Sequence, residues 1–160
     1  MRKHTKRYIV LTTSLFIIFL LGLYFYKTNT GTLICTYTET STETKISAEY
    51  QAKYKNRIVT RVKTVEKITL STKEEVEAYK ETLQEIYKPY NEIEYYENNI
   101  SIKDTTLNSV TTINYEKVDI EVLLQKNKYF ETIINKQNKV SVTKLKKLYE
   151  ENGAKCHYKN

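Results

Sequence analysis

The sequence predicts an α+β domain: an antiparallel sheet with packed helices, in the order β-β-β-α-β-β-α-α, behind an N-terminal transmembrane helix. Three observations carry this prediction. Residues 8–26 form a long apolar run without a charge. Ile46, Ala48, Tyr50, Ala52 and Tyr54 alternate with polar residues, as a strand with one buried face does. Two later segments place apolar residues at helical spacing behind serines that can cap a helix.

The apolar run comes first in the chain. A helix over residues 8–26 would be ~28 Å long, close to the hydrocarbon thickness of a bilayer. Tyr8, Tyr24 and Tyr26 mark its ends, where amphipathic rings prefer to sit. Arg2, Lys3, Lys6 and Arg7 precede it and only Lys27 closely follows, so the positive-inside bias puts the N-terminus in the cytoplasm. This divides the chain into a cytoplasmic basic tail (1–7), a single membrane span (8–26), a spacer (27–32) and an extracytoplasmic α+β domain (33–160). A cleaved signal peptide is the rival reading, but no small-x-small site follows the run. A lipoprotein signal fits poorly, because Thr32, Leu33 and Ile34 stand before Cys35.

In the outer domain, Leu33, Cys35 and Tyr37 predict the first strand, and the alternation from Ile46 to Tyr54 the second. Lys55-Asn56-Arg57 reads as a hairpin turn without glycine. Ile58, Val62, Ile68 and Leu70 share one parity and predict a third strand. Ser71-Thr72-Lys73-Glu74 reads as a capping box, with Ser71 the cap. The helix behind it sets Val76, Tyr79, Leu83 and Ile86 on one stripe, and Pro89 stops it near Lys88. A fourth strand is expected at 93–97, with a turn at Asn98-Asn99 and a continuation at 100–103. A fifth is expected at 107–115. A short helix is expected at 118–124, and residues 127–139 carry no clear pattern. Ser141 caps a last helix with Val142, Leu145, Leu148 and Tyr149 on one face, and Gly153 fits the left-handed stop after it.

Charge and composition limit the chemistry. Five of the 26 basic residues precede residue 28, with no acid among them; the other 21 face all 19 acids. The outer domain is thus nearly neutral, and nucleic-acid binding is disfavoured. Its histidine is His157 and its glycines are Gly31 and Gly153, so it has neither a phosphate loop nor a nucleophile–base pair. Glu74, Glu75, Glu77, Glu81 and Glu85 lie among Lys73, Lys80 and Lys88, as on a solvated helix face. No metal site and no cofactor are expected: Cys156 and His157 are adjacent, but His4 falls across the membrane. Cys35 and Cys156, at opposite ends of a domain with a thin core, read as a disulfide outside the cytoplasm. Adjacent Tyr95 and Tyr96 would point to opposite faces of a strand, which makes them candidate ligand-facing residues. Tyr87 with Tyr90 is a second pair that could stack on a ligand.

Four stretches carry a resemblance: residues 54–62, 71–90, 111–119 and 145–156. The most telling are Ser71-Thr72-Lys73-Glu74-Glu75 after a Thr-rich strand, and Leu145-Lys146-Lys147-Leu148 running to Gly153. The chain resembles small lipoproteins of the YehR type and their membrane-anchored relatives in low-GC Gram-positive bacteria. The resemblance implies helices packed on an antiparallel sheet and carries over no catalytic residue. Here a helix would replace the lipid. The function expected is a non-enzymatic, membrane-anchored binding or interaction domain with a protein or cell-envelope partner. The alternatives are a carboxylate-dependent envelope enzyme, which needs two converging acids, and a structural subunit of a membrane complex.

Overall fold

The computed structural model describes residues 30–159. The expected cytoplasmic tail and membrane span lie outside the described residues. Among the described residues no helix is long and apolar enough to cross a membrane. The elements are β1 (Thr30–Thr40), β2 (Lys45–Lys55), β3 (Ile58–Thr69), α1 (Lys73–Tyr87), β4 (Tyr96–Lys103), β5 (Thr106–Asn114), α2 (Ile120–Lys126), α3 (Val142–Glu151) and β6 (Lys155–Lys159). Short 3-10 turns occupy Lys88–Tyr90 and Lys128–Ile133. All strands join one sheet in the order β4-β5-β3-β2-β1-β6, and every pairing is antiparallel. The α+β expectation holds. The sixth strand was not expected, and β1 begins at Thr30, inside the stretch read as spacer.

The sheet has two unlike faces. Leu33, Cys35, Ala48, Ala52, Val62, Ile68, Leu107 and Ile113 are buried on the face that the helices cover. On the other face Lys45, Lys53, Arg61, Lys63, Lys67 and Lys103 are exposed, against Glu49 and Glu97. Alternation assigns each residue to its face, as in an antiparallel sheet with one side in water.

The β2–β3 hairpin turns at Asn56 and Arg57, both with positive φ (52° and 63°). That is the primed geometry which matches strand twist, reached here without glycine. The single-parity reading of β3 is corrected. The register slips between Lys53 and Tyr54, leaving Thr60 as an extra residue. Val59 and Val62 are therefore both buried, while Ile58 is only half-buried. The Thr60 hydroxyl donates to the Lys53 carbonyl (3.2 Å) and ties the bulge down.

Helix α1 is capped by Thr72, one residue later than expected. Its hydroxyl accepts from the Glu75 amide (3.2 Å), and the Glu75 carboxylate accepts from the Thr72 amide (3.1 Å). The Ser71 hydroxyl donates instead to the Glu43 carbonyl (3.2 Å). Val76 and Leu83 are buried against Leu107, with Tyr87, Ile100 and Ile102 packed around them. Tyr79 and Ile86 are 37% and 55% exposed. The helix lies on the narrow β4–β5 end of the sheet, which covers Val76, Leu83 and Tyr87 but stops short of the expected stripe's other side.

Strand β4 runs unbroken through Asn98 and Asn99, where a turn was expected. The Asn98 side chain donates to the hydroxyls of Thr111 (2.8 Å) and Ser109 (3.3 Å) on β5, so its amide needs no turn. The turn falls earlier, before Tyr96. After β5, Asp119 accepts from the Glu121 amide (2.9 Å) and starts α2 two residues later than expected. Ser141 caps α3 as expected, accepting from the Lys144 amide (3.4 Å). Gly153 (φ 85°) then turns the chain into β6, which pairs with β1.

Candidate functional site

Between the covered face of the sheet and the elements packed on it lies a cavity of about 220 Å³. Its floor is set by register. Tyr50 stands opposite Thr64, Thr64 opposite Thr111, and Glu66 comes two residues along β3. Tyr96 of β4 stands opposite Ile113. Tyr87 of α1, Tyr149 of α3, and Tyr129 and Phe130 of the second 3-10 turn supply the walls. Tyr129 is 54% exposed and marks the mouth.

Two ring pairs stiffen the walls. Tyr50 and Tyr149 stack with centroids 4.3 Å apart, and Tyr90 and Tyr96 stack at 5.0 Å. Near-parallel stacking of this kind favours one relative orientation of the two rings. Burial pushes the Tyr50 hydroxyl up to about 12, with the charge of Glu66 adding to it. Burial also raises Tyr96 and Tyr149, and neighbouring Tyr and Glu66 charges add in the same direction. Tyr87 is raised by burial and then by Glu66, while hydrogen bonds from Thr111 and Ser109 act the other way.

Glu66 is the exceptional group. Among the described residues lining the cavity it alone carries a charge. Burial lifts its carboxyl above the ordinary carboxylate value. The ion pairs among the described residues are Lys80–Glu77, Lys88–Glu85, Lys146–Glu150 and Lys147–Glu151, all within or next to helices, and none includes Glu66.

The residues singled out in the sequence fall as follows. The sulfurs of Cys35 and Cys156 are 2.03 Å apart and bonded, at the edge of the core rather than in the cavity. Tyr96 lines the cavity. Tyr95 does not: at φ 65° it precedes the strand, 46% exposed, with the Lys117 ammonium 5.2 Å from its ring centroid. The two tyrosines therefore do not occupy opposite faces of one strand. Tyr87 lines the cavity, and Tyr90 supports it through Tyr96. The acids of α1 stay outside it, with Glu77 and Glu85 paired to lysines. His157 is exposed on β6, and among the described residues no cluster of His, Cys, Asp or Glu could hold a metal ion. Sequence reading missed Glu66, Tyr149 and Tyr129. For Glu66 a signal existed: it has the inward parity of Val62 and Ile68, where a charge is out of place.

Fold and cavity together define a class: a small α+β domain whose helices cover one face of a single antiparallel sheet and leave an aromatic hollow beneath them. The chain belongs to the family described as "Protein of unknown function (DUF1307)", which it matches over residues 34–155. Its fold is similar to the NMR structure of the E. coli YehR protein, with 21% identity, a TM-score of 0.54, and coverage of 77% of this chain and 88% of that one. An NMR structure of a Streptococcus pneumoniae TIGR4 protein is also similar, at 12% identity and a TM-score of 0.47, covering 78% of this chain and 84% of that one. No curated protein matches the chain. The YehR-type resemblance thus holds for family and fold.

Proposed function

We propose that this chain is a non-enzymatic, membrane-anchored extracytoplasmic domain that binds a ligand, or a side chain of a protein or envelope partner, in the tyrosine-walled cavity around Glu66. The observation that carries this reading is the cavity itself: aromatic walls held by stacked pairs, with one charged anchor on its floor. Binding sites commonly combine apolar walls with a few placed polar groups. Glu66 has no second acid and no histidine beside it among the lining residues, which supports binding over paired-carboxylate chemistry. The anchor reading is supported by the uncharged run at 8–26 behind its basic flank.

Photo-crosslinking in intact cells tests the binding role. A photoreactive phenylalanine analogue at Tyr129, at the mouth, should capture a partner or ligand. The same analogue at Thr112, on the open face, should not. Equal capture at both positions, or none at Tyr129, would count against the cavity. Protease shaving of the same cells should remove the outer domain; recovery of a soluble chain starting near Thr28 would sink the anchor.

A further inference from the structure

We propose that the cavity is selective for an organic cation, a methylated or quaternary ammonium group, which seats against Glu66 and the faces of the surrounding tyrosines. This rests on the reading of the cavity as a ligand site. The lining carries one formal negative charge and, among the described residues, no cation to balance it. A carboxylate taken partly out of water without a partner is unfavourable, and an entering cation supplies the missing charge. The walls point to the same chemistry. Tyr50, Tyr87, Tyr96 and Tyr149 come from four different elements and surround one space. The faces of aromatic rings are electron-rich and attract cations, most strongly where water is excluded. A tetraalkylammonium group also suits the wall because it donates no hydrogen bonds and needs none. At about 220 Å³ the cavity falls below the ~300–1,000 Å³ of ordinary small-molecule sites, so it fits a head group or side-chain terminus.

A neutral sugar or alcohol would use the hydroxyls but would leave Glu66 unbalanced, so charge decides between the two. The other titratable groups that line the cavity are tyrosines: Tyr50 from β2, Tyr96 from β4, Tyr115 after β5, Tyr87 from α1, Tyr149 from α3 and Tyr129 from the 3-10 turn. Binding should therefore weaken on acidification, as Glu66 takes up its proton.

The test uses the full chain in neutral detergent, with tyrosine rings isotopically labelled for NMR. The probes are choline and its neutral carbon isostere, 3,3-dimethylbutan-1-ol. Choline should shift the rings of Tyr96 and Tyr149, and the isostere should bind at least about tenfold more weakly. Glu66→Gln should remove the preference for choline, whereas Glu97→Gln on the open face should keep it. Unperturbed spectra away from the cavity show that each variant is folded. Equal binding of both probes, or a choline preference that survives Glu66→Gln, would overturn the cation assignment and leave the cavity as an apolar site. No ring shift with either probe would overturn the cation assignment and count against the cavity as a ligand site.

Discussion

Cys35 and Cys156, 121 positions apart in sequence, are directly opposed residues of β1 and β6, with their Cα atoms 4.1 Å apart. That separation is typical of a non-hydrogen-bonded cross-strand pair, the place where two side chains approach most closely. The bond fastens a five-residue edge strand to the sheet. Cys35 is fully buried beside Leu33, so the link also reaches the core. Cys156→Ser should cost about 2–4 kcal/mol of stability. Reductant should lower the thermal midpoint of the wild type and leave that of the variant unchanged. Labelling of both thiols in the native, unreduced protein would refute the bond.

Glu66 predicts an unusual pH dependence of stability. Burial raises its carboxyl above the ordinary value of 4.5. Only between the unfolded and the folded value does the folded chain hold a proton that the unfolded chain has released. Stability is therefore full below about pH 4 as far as this group is concerned, and falls as the pH rises through the folded value. Glu66→Gln should raise the thermal midpoint near neutral pH and bring no gain near pH 4. A midpoint difference independent of pH would contradict the assignment.

The open face of the sheet holds a like-charge pair. Lys53 of β2 stands opposite Arg61 of β3, and both are exposed. Like charges at directly opposed positions destabilise a sheet. Lys53→Glu should stabilise the domain by about 0.2–1 kcal/mol in low salt, and the gain should shrink as salt screens it. Chemical denaturation with urea, which leaves ionic strength unchanged, would measure both effects.

Gly31 predicts a steric requirement. A Cβ there would sit 2.6 Å from the Tyr54 hydroxyl oxygen, 2.9 Å from its ring carbon and 3.1 Å from the Lys159 carbonyl oxygen. The Tyr54 ring is set edge-on against Tyr158 (5.8 Å), so moving it disturbs β6 as well. Gly31→Ala should lose about 1–3 kcal/mol by overpacking. Combining it with Tyr54→Leu should lose less than the sum of the two single variants, because the crowded ring is gone. Additive losses in urea denaturation would place the strain elsewhere.

Much of the local structure was legible before the fold was known. Alternation from Ile46 to Tyr54 marks β2, the Ser141 cap marks α3, and Gly153 marks its end, because each depends on neighbours within one or two turns of chain. Strand β6 left no such mark. Lys155-Cys-His-Tyr-Lys is short and polar, and is held as a strand by pairing with β1 and by Cys35. Thr60 hid the parity of β3, since a bulge shows only against its partner strand. Half of the site followed the same rule. Tyr96 and Tyr87 could be suspected as aromatic, whereas Glu66 and Tyr149 meet only when α3 folds back over the sheet.

The sequence by itself determined the features whose forces are local: the Ser141 cap, the alternation of β2 and the glycine stop at Gly153. Tertiary structure alone decided the cavity and the charged face. The basic and acidic residues from 28 to 160 nearly balance in number, yet strand register gathers Lys45, Lys53, Arg61, Lys63 and Lys67 on one side. The same register turns Glu66 inward among tyrosines drawn from four elements. The physical reason is that a side chain's surroundings depend on which strands pair and which helix covers them, and those contacts join residues far apart in the chain.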